Sequence, residues 1–203
     1  GVWTLENSPY IVIGQLLIEQ GTSLVIEPGV VVKFDGTYYL KVDGELVADG
    51  TEDQKITFTS NKKNPQPGDW DKIKFTDTST DWDGAKGSLL RYTKIEYGGS
   101  SIDWPYMGTI MGFSASPLIE SSEISNYAGH GIYTEGDSSP IIKDNIIKSS
   151  TSTGGYFAIM VRDLSVVTDN KVYGGVIYGS DRSVIKGNLI NGGGILCSPC
   201  AGV

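Results

Sequence analysis

The chain's single histidine, His130, stands between two glycines in Gly129-His130-Gly131. Imidazole titrates near neutrality, so a lone His in such a setting is a candidate general acid or base. Asp137 offers a carboxylate a few residues on, and Arg162-Asp163 sets a guanidinium beside a carboxylate at the end of an apolar run. These four residues are the set to suspect if the protein is an enzyme. The plainer alternatives are that His130 is a turn residue and that Arg162-Asp163 is a surface ion pair. A second group, Asp77, Asp81 and Asp83, lies in one Gly-bearing stretch. No cofactor is expected; the one candidate is calcium, which takes about six to eight oxygen ligands of the kind a carboxylate-rich loop can supply. The spacing departs from the EF-hand pattern, and a solvated acidic loop is the competing reading. Cys197-Ser198-Pro199-Cys200 is a local disulfide or a chance pair. It has no second Cys pair or nearby His to complete a zinc site.

The aromatics suggest a different chemistry. Trp70, Trp82, Trp104 and Tyr106 fall in loop-like segments. Exposed rings there offer flat apolar faces on which pyranose rings stack. Met111, Tyr133, Met160 and Tyr178 recur at one position of a strand-like repeat and are expected to point outward as an apolar stripe. Such a stripe usually marks a binding surface. It is either open to a ligand or covered by the long segment from 98 to 108.

These groups must be positioned by a repeat. Segments 88–95, 117–124, 140–147, 165–172 and 183–190 align without gaps. Each reads as a small residue, two aliphatics, two polar residues, one of Thr93, Ser122, Asn145, Asn170 or Asn188, any residue, and an aliphatic. Successive spacings at that sixth position are 29, 23, 25 and 18 residues. A period of this size with tolerated length variation describes coils of a solenoid whose loops absorb the insertions. A later strand follows in each coil, at 109–111, 131–133, 158–160, 176–178 and 195–197. The N-terminal part carries short strands at 16–18, 24–26, 30–34, 39–42, 45–48, 55–58 and 72–75. Turns bearing Gly, Asp and Pro separate them. Asn tolerates left-handed backbone and can bond its counterpart one coil away, so Asn145, Asn170 and Asn188 are expected to stack as an asparagine ladder.

Composition agrees. Gly accounts for 27 of 203 residues. No stretch keeps a 3.6-residue apolar period, which argues against all-α and α/β folds. The net charge of −8 argues against nucleic acid and anionic membranes as partners. No apolar run is long enough to span a bilayer. One all-β domain over 1–203 is expected, with coils of about 18–29 residues. Residues 1–15 are expected as an N-terminal cap. No capping helix follows 201–203, so the C-terminal end is expected to be open, with neighbouring domains of a longer chain or an end-on partner beyond it.

The run Leu24-Val-Ile-Glu-Pro-Gly-Val-Val-Val-Lys-Phe34, with 44–51, 56–60 and Gly68-Asp69-Trp70, resembles the opening of secreted right-handed parallel β-helix proteins of the pectate-lyase-like superfamily, including bacterial and archaeal cell-surface proteins. The resemblance covers nearly the whole chain and implies a right-handed parallel β-helix working outside the cytoplasm or at the cell surface. It leaves the activity open, since that superfamily hosts lyases, hydrolases, epimerases, adhesins and inert modules. Polygalacturonase-like members carry a Gly-His-Gly beside catalytic aspartates, and the calcium-dependent lyases use an Arg as base within an acidic cluster. Here the paired aspartates, the later Arg-Ile-Lys element and the calcium cluster around Arg162 are missing. The expected function is therefore a non-catalytic extracellular module, adhesive or binding a polysaccharide or cell-surface glycan through Trp82, Trp104, Tyr106, Tyr133 and Tyr178. A polysaccharide lyase or glycoside hydrolase is the first alternative and a structural spacer the second.

Overall fold

The computed structural model describes residues 1–99, 108–149, 156–162, 164–180 and 182–198. Through them the chain winds into three parallel sheets of eight strands each. Every coil gives one strand to each sheet in turn, and each strand pairs with its counterpart in the coils before and after. We call the sheets the first, second and third faces. The architecture is the all-β solenoid that the repeat implied.

Alternation along short strands sends every second side chain inward, and parallel pairing stacks like on like. On the first face Ala48, Leu90, Ile119, Ile142, Val167 and Ile185 form one inward row. Val32, Phe58, Ile95, Ile124, Ile147 and Val172 do so on the second face. Leu40, Ile73, Ile110, Ile132, Ile159 and Ile177 do so on the third. All are buried and belong to one continuous core. Residues 1–15, expected as a cap, are built into the first coil. Val2–Trp3 pairs with the strand Ser23–Ile26, and Tyr10–Val12 pairs with Val31–Phe34.

The tight turn between the first and second faces carries the asparagine ladder. Asn145 donates both its backbone N–H and its Nδ2 to Asn170 Oδ1, each at 3.0 Å. Asn170 does the same to Asn188 Oδ1 at 2.9 Å. The amides also donate to backbone carbonyls, Asn145 to Ile119, Asn170 to Ile142 and Asn188 to Val167, each at 2.9 Å. Ser122 N–H donates to Asn145 Oδ1, and Thr93 donates its N–H and Oγ1 to Ser122 Oγ, so the ladder continues in hydroxyls. The left-handed residue is not the Asn, as its turn chemistry suggested, but the one before it: Tyr92, Ser121, Asp144, Asp169 and Gly187 all have positive φ. That twist turns the next side chain inward, where its amide meets backbone groups that water cannot reach.

One alignment shifts by one residue. Ile177 pairs with Ile195 and Tyr178 with Leu196, so Leu196 rather than Cys197 continues the outward row. The aliphatic that must face the core decides the register, because a one-residue slip would turn every side chain to the other face. His130 begins its strand opposite Gly108, as the alignment of 131–133 with 109–111 requires.

Asn170→Ala removes an acceptor and two donors from the middle of a buried ladder, and a loss of about 3 kcal/mol in urea unfolding is expected. Asn188→Ala, at a half-buried end, should cost about 1 kcal/mol. Equal losses at the two positions would show that the ladder is not what holds this turn.

Candidate functional site

The third face carries the groups with chemical potential. Inward aliphatics force the alternate residues outward, giving a row through Lys41, Lys74, Met111, Tyr133, Met160, Tyr178 and Leu196. The stripe expected from the sequence is therefore outward of the core, but its middle is covered. Met111, Tyr133 and Met160 form a second buried cluster with Phe157 and Tyr178 packed against it. Tyr133 is only 3% exposed and offers no free ring face. Tyr178 is half-buried and Leu196 is 53% exposed, so the row opens toward the last coils.

His130 belongs to this cluster. Its ring stacks on Phe157 at 5.5 Å and on Tyr133 at 5.7 Å, with Tyr156 edge-on at 5.6 Å. The Phe157 N–H donates to Nδ1 at 2.8 Å. That bond leaves the proton of the neutral ring on Nε2. Burial pulls the pKa down to about 4, against the backbone bond to Phe157, and the Arg162 charge pushes the same way as burial. His130 is thus a neutral packing residue across the working pH range, with one nitrogen already engaged.

The other suspected acid–base groups lie at the opposite end of the strands. His130 and Glu135 bound one strand. A strand of that length holds its two end positions roughly 16 Å apart, at about 3.3 Å per residue. At the far end Arg162 lies 3.9 Å from Glu135, which also accepts the Tyr133 hydroxyl. Asp137 is exposed in the following turn, its N–H donating to Ser114 Oγ at 3.3 Å. Asp163 lies outside the described residues. Among the described residues the chain brings together Glu135 and Arg162, and no carboxylate is paired with His130. Phe113, 38% exposed, is their neighbour in the adjoining outward row, Phe113–Glu135–Arg162. Neither Glu135 nor Phe113 was singled out from the sequence. Counting in twos outward from Tyr133 and Met111 would have found both.

The acidic stretch does not converge on a shared centre. Asp81 Oδ1 accepts the Ser116 N–H at 2.6 Å, and Trp82 N–H donates to Ser116 O, tying this loop to the next coil. Asp83 Oδ1 accepts the N–H groups of Lys86 and Ala85, and these two bonds hold its carboxyl below the usual range. Asp77 is exposed. Among the described residues no group of three or more Asp, Glu, His or Cys is arranged to hold a metal. In both Asp81 and Asp83 it is Oδ1 that holds the backbone N–H groups.

Of the loop aromatics, Trp82 is half-buried, and Trp104 and Tyr106 lie outside the described residues. Trp70 is fully buried, stacked on Phe34 at 4.3 Å with Nε1 donating to Glu96 O at 2.8 Å. The expectation of an exposed Trp70 is corrected: with its one N–H satisfied, the indole gains more from the core than from water. Cys197 is disulfide-bonded.

Because folded His130 resists protonation while unfolded His130 does not, stability falls as pH drops from about 6.5 toward about 4. The loss due to His130 at pH 5 is about 2 kcal/mol. His130→Gln, which keeps an acceptor for Phe157 N–H, should flatten that part of the profile in urea titrations at pH 7 and pH 5. An unchanged profile would mean that His130 titrates normally in the folded state.

Residues 2–104 match the model of the pectate-lyase like beta helix domain, and residues 68–198 match that of the right handed beta helix region. Neither the curated proteins nor the solved structures yielded a match. With more than half of the chain in each match and three parallel sheets of eight strands beneath them, this chain belongs to the right-handed parallel β-helix family of pectate-lyase-like type.

Proposed function

We propose that the domain is a non-catalytic extracellular module that binds a polysaccharide or cell-surface glycan along the open part of its third face. The observation that carries this reading is the mixed strip at that face: an exposed Phe113 ring, the Glu135–Arg162 pair and the half-exposed Tyr178 ring. Rings supply stacking surfaces for pyranoses, and the carboxylate and guanidinium supply acceptors and donors for hydroxyls. Tyr133 and Met160 serve this strip from beneath as packing, and half-buried Trp82, on the loop tied to Ser116, is the further ring this reading assigns to the ligand. The net charge of −8 favours neutral or cationic glycans over polyanions. A disulfide at Cys197 suits an oxidising compartment. Among the described residues no helix is long and apolar enough to cross a membrane.

Among the described residues, a catalytic role would draw on Glu135, Arg162 and the exposed Asp137 more readily than on His130, whose ring is buried at the other end of the strands. Screening the purified chain on a glycan array, with and without calcium, reads bound ligand and released sugar together. Binding without release is expected, and Tyr178→Ala or Arg162→Ala should weaken it about tenfold with little change in melting temperature. Release of unsaturated or reducing-end sugar would overturn the module reading in favour of a lyase or hydrolase. Silence in both channels would leave the spacer.

A further inference from the structure

The turn between the first and second faces holds a feature that the third face does not explain. Its left-handed position is occupied by Ser121, Asp144, Asp169 and Gly187 in four coils. These residue types accept positive φ through small size or local hydrogen bonding. In the coil before these the same position is Tyr92, at φ 48°. A bulky residue there is strained, and strain of this kind persists where the surroundings or a function hold it. Tyr97, the other left-handed tyrosine of this coil, packs against the core, which accounts for it. Tyr92 instead stays half-exposed and lines a surface pocket.

That pocket runs along the turn across neighbouring coils. Glu52 and Lys55 come from the coil before Tyr92, and Ser121, Glu123 and Asp144 from the two after it. The backbone around Tyr92 is held on both sides: Tyr92 N–H donates to Glu120 O, and Ile56 N–H donates to Tyr92 O, each at 3.2 Å. Gly50 sits so close that a Cβ would fall 2.5 Å from Tyr92 O. The ring therefore sits on a fixed mount. Three carboxylates face one ammonium in the lining. Glu123 is satisfied from the outer second face by Lys148 at 2.6 Å, with Lys94 as its register neighbour, which leaves Glu52 and Asp144 as the exposed carboxylates of the lining. An aromatic ring beside carboxylates recognises a ligand with an apolar face and a positive charge. Coils succeed one another at about 4.8 Å, close to the length of a pyranose unit, so a chain lying along the turn meets one ring's worth of groups per coil.

We infer that the pocket formed by Glu52, Lys55, Tyr92, Ser121, Glu123 and Asp144 is a second saccharide site, selective for hexosamine units with a free, protonated amine. The Tyr92 ring stacks on the sugar face, and Asp144 and Glu52, which have exposed side chains, take the ammonium. The site shares no residue with the third-face strip and stands or falls apart from it.

The test is calorimetric titration of the intact chain with a glucosamine oligosaccharide, its N-acetylated counterpart and a lysine-rich peptide. The free-amine oligosaccharide should bind at least about tenfold more tightly than the acetylated one. Tyr92→Ser, which installs the residue of the next coil, should abolish that preference without lowering the melting temperature. Asp144→Asn, at an exposed position, should weaken the free-amine ligand about tenfold and leave the acetylated one unchanged. Tyr178→Ala should change neither. Equal affinity for the two sugars, no binding of either, or free-amine binding that survives both Tyr92→Ser and Asp144→Asn would overturn the proposal. So would tighter binding of the peptide, which would assign the pocket to a basic protein partner. A fall in melting temperature with Tyr92→Ser and no effect of Asp144→Asn would make Tyr92 a structural residue.

Discussion

Parallel pairing between successive coils is the constraint on which everything else in this molecule depends. Each short strand is stable only because a like strand lies above and below it, and each coil must therefore present its backbone groups at the same heights. The turn between the first and second faces is the hardest place to meet this demand, since it bends the chain sharply while staying buried. Amide side chains meet it by giving an acceptor to the coil before and donors to both a backbone carbonyl and the coil after. Where the turn is tightest the sequence places Asn, Ser or Thr, and the left-handed residue just before each of them makes the inward orientation possible.

With the interior repeating from coil to coil, individuality is pushed to the outside. On the first face Asp49, Arg91, Glu120 and Lys143 occupy one outward row, with Arg91 bridging Asp49 at 2.6 Å and Glu120 at 3.7 Å, and Lys143 bridging Glu120 at 2.8 Å. Partly exposed pairs of this kind add little stability each, but opposite charges in adjacent coils penalise any shift of one coil against the next. The third face uses its outward row differently. There a second apolar cluster has grown over the core, and the chain's one histidine stacks on its Phe157. Among the described residues, what remains chemically available lies at the strand ends, at the turns and toward the last coils, where Tyr178 is half-exposed.

The fold was legible because a solenoid writes its geometry into the sequence once per coil. The aliphatic pairs at 89–90, 118–119, 141–142, 166–167 and 184–185 are the in-register rows of the first face, and Asn145, Asn170 and Asn188 are the ladder that their spacing implied. The site was much less legible. Alternation says that Tyr133 faces outward from the core, and it does, but alternation cannot say what lies over it. Trp70 looked like a loop aromatic because it interrupts no strand pattern, yet the loop folds inward and sets it on Phe34. Asp77, Asp81 and Asp83 are close in sequence, but Asp81 and Asp83 turn to backbone N–H groups instead of toward one another.

The sequence by itself determined the period, the inward rows and the ladder, because each depends on near neighbours and on the same residue types recurring coil after coil. Only the tertiary structure decided which outward side chains meet water. It placed His130 and Arg162 at opposite ends of the strands, joined Glu135 to Arg162, and opened the pocket around Tyr92. Those outcomes depend on how loops of unequal length fold over a regular scaffold, and no repeat constrains a loop to place its side chains where its neighbour's do.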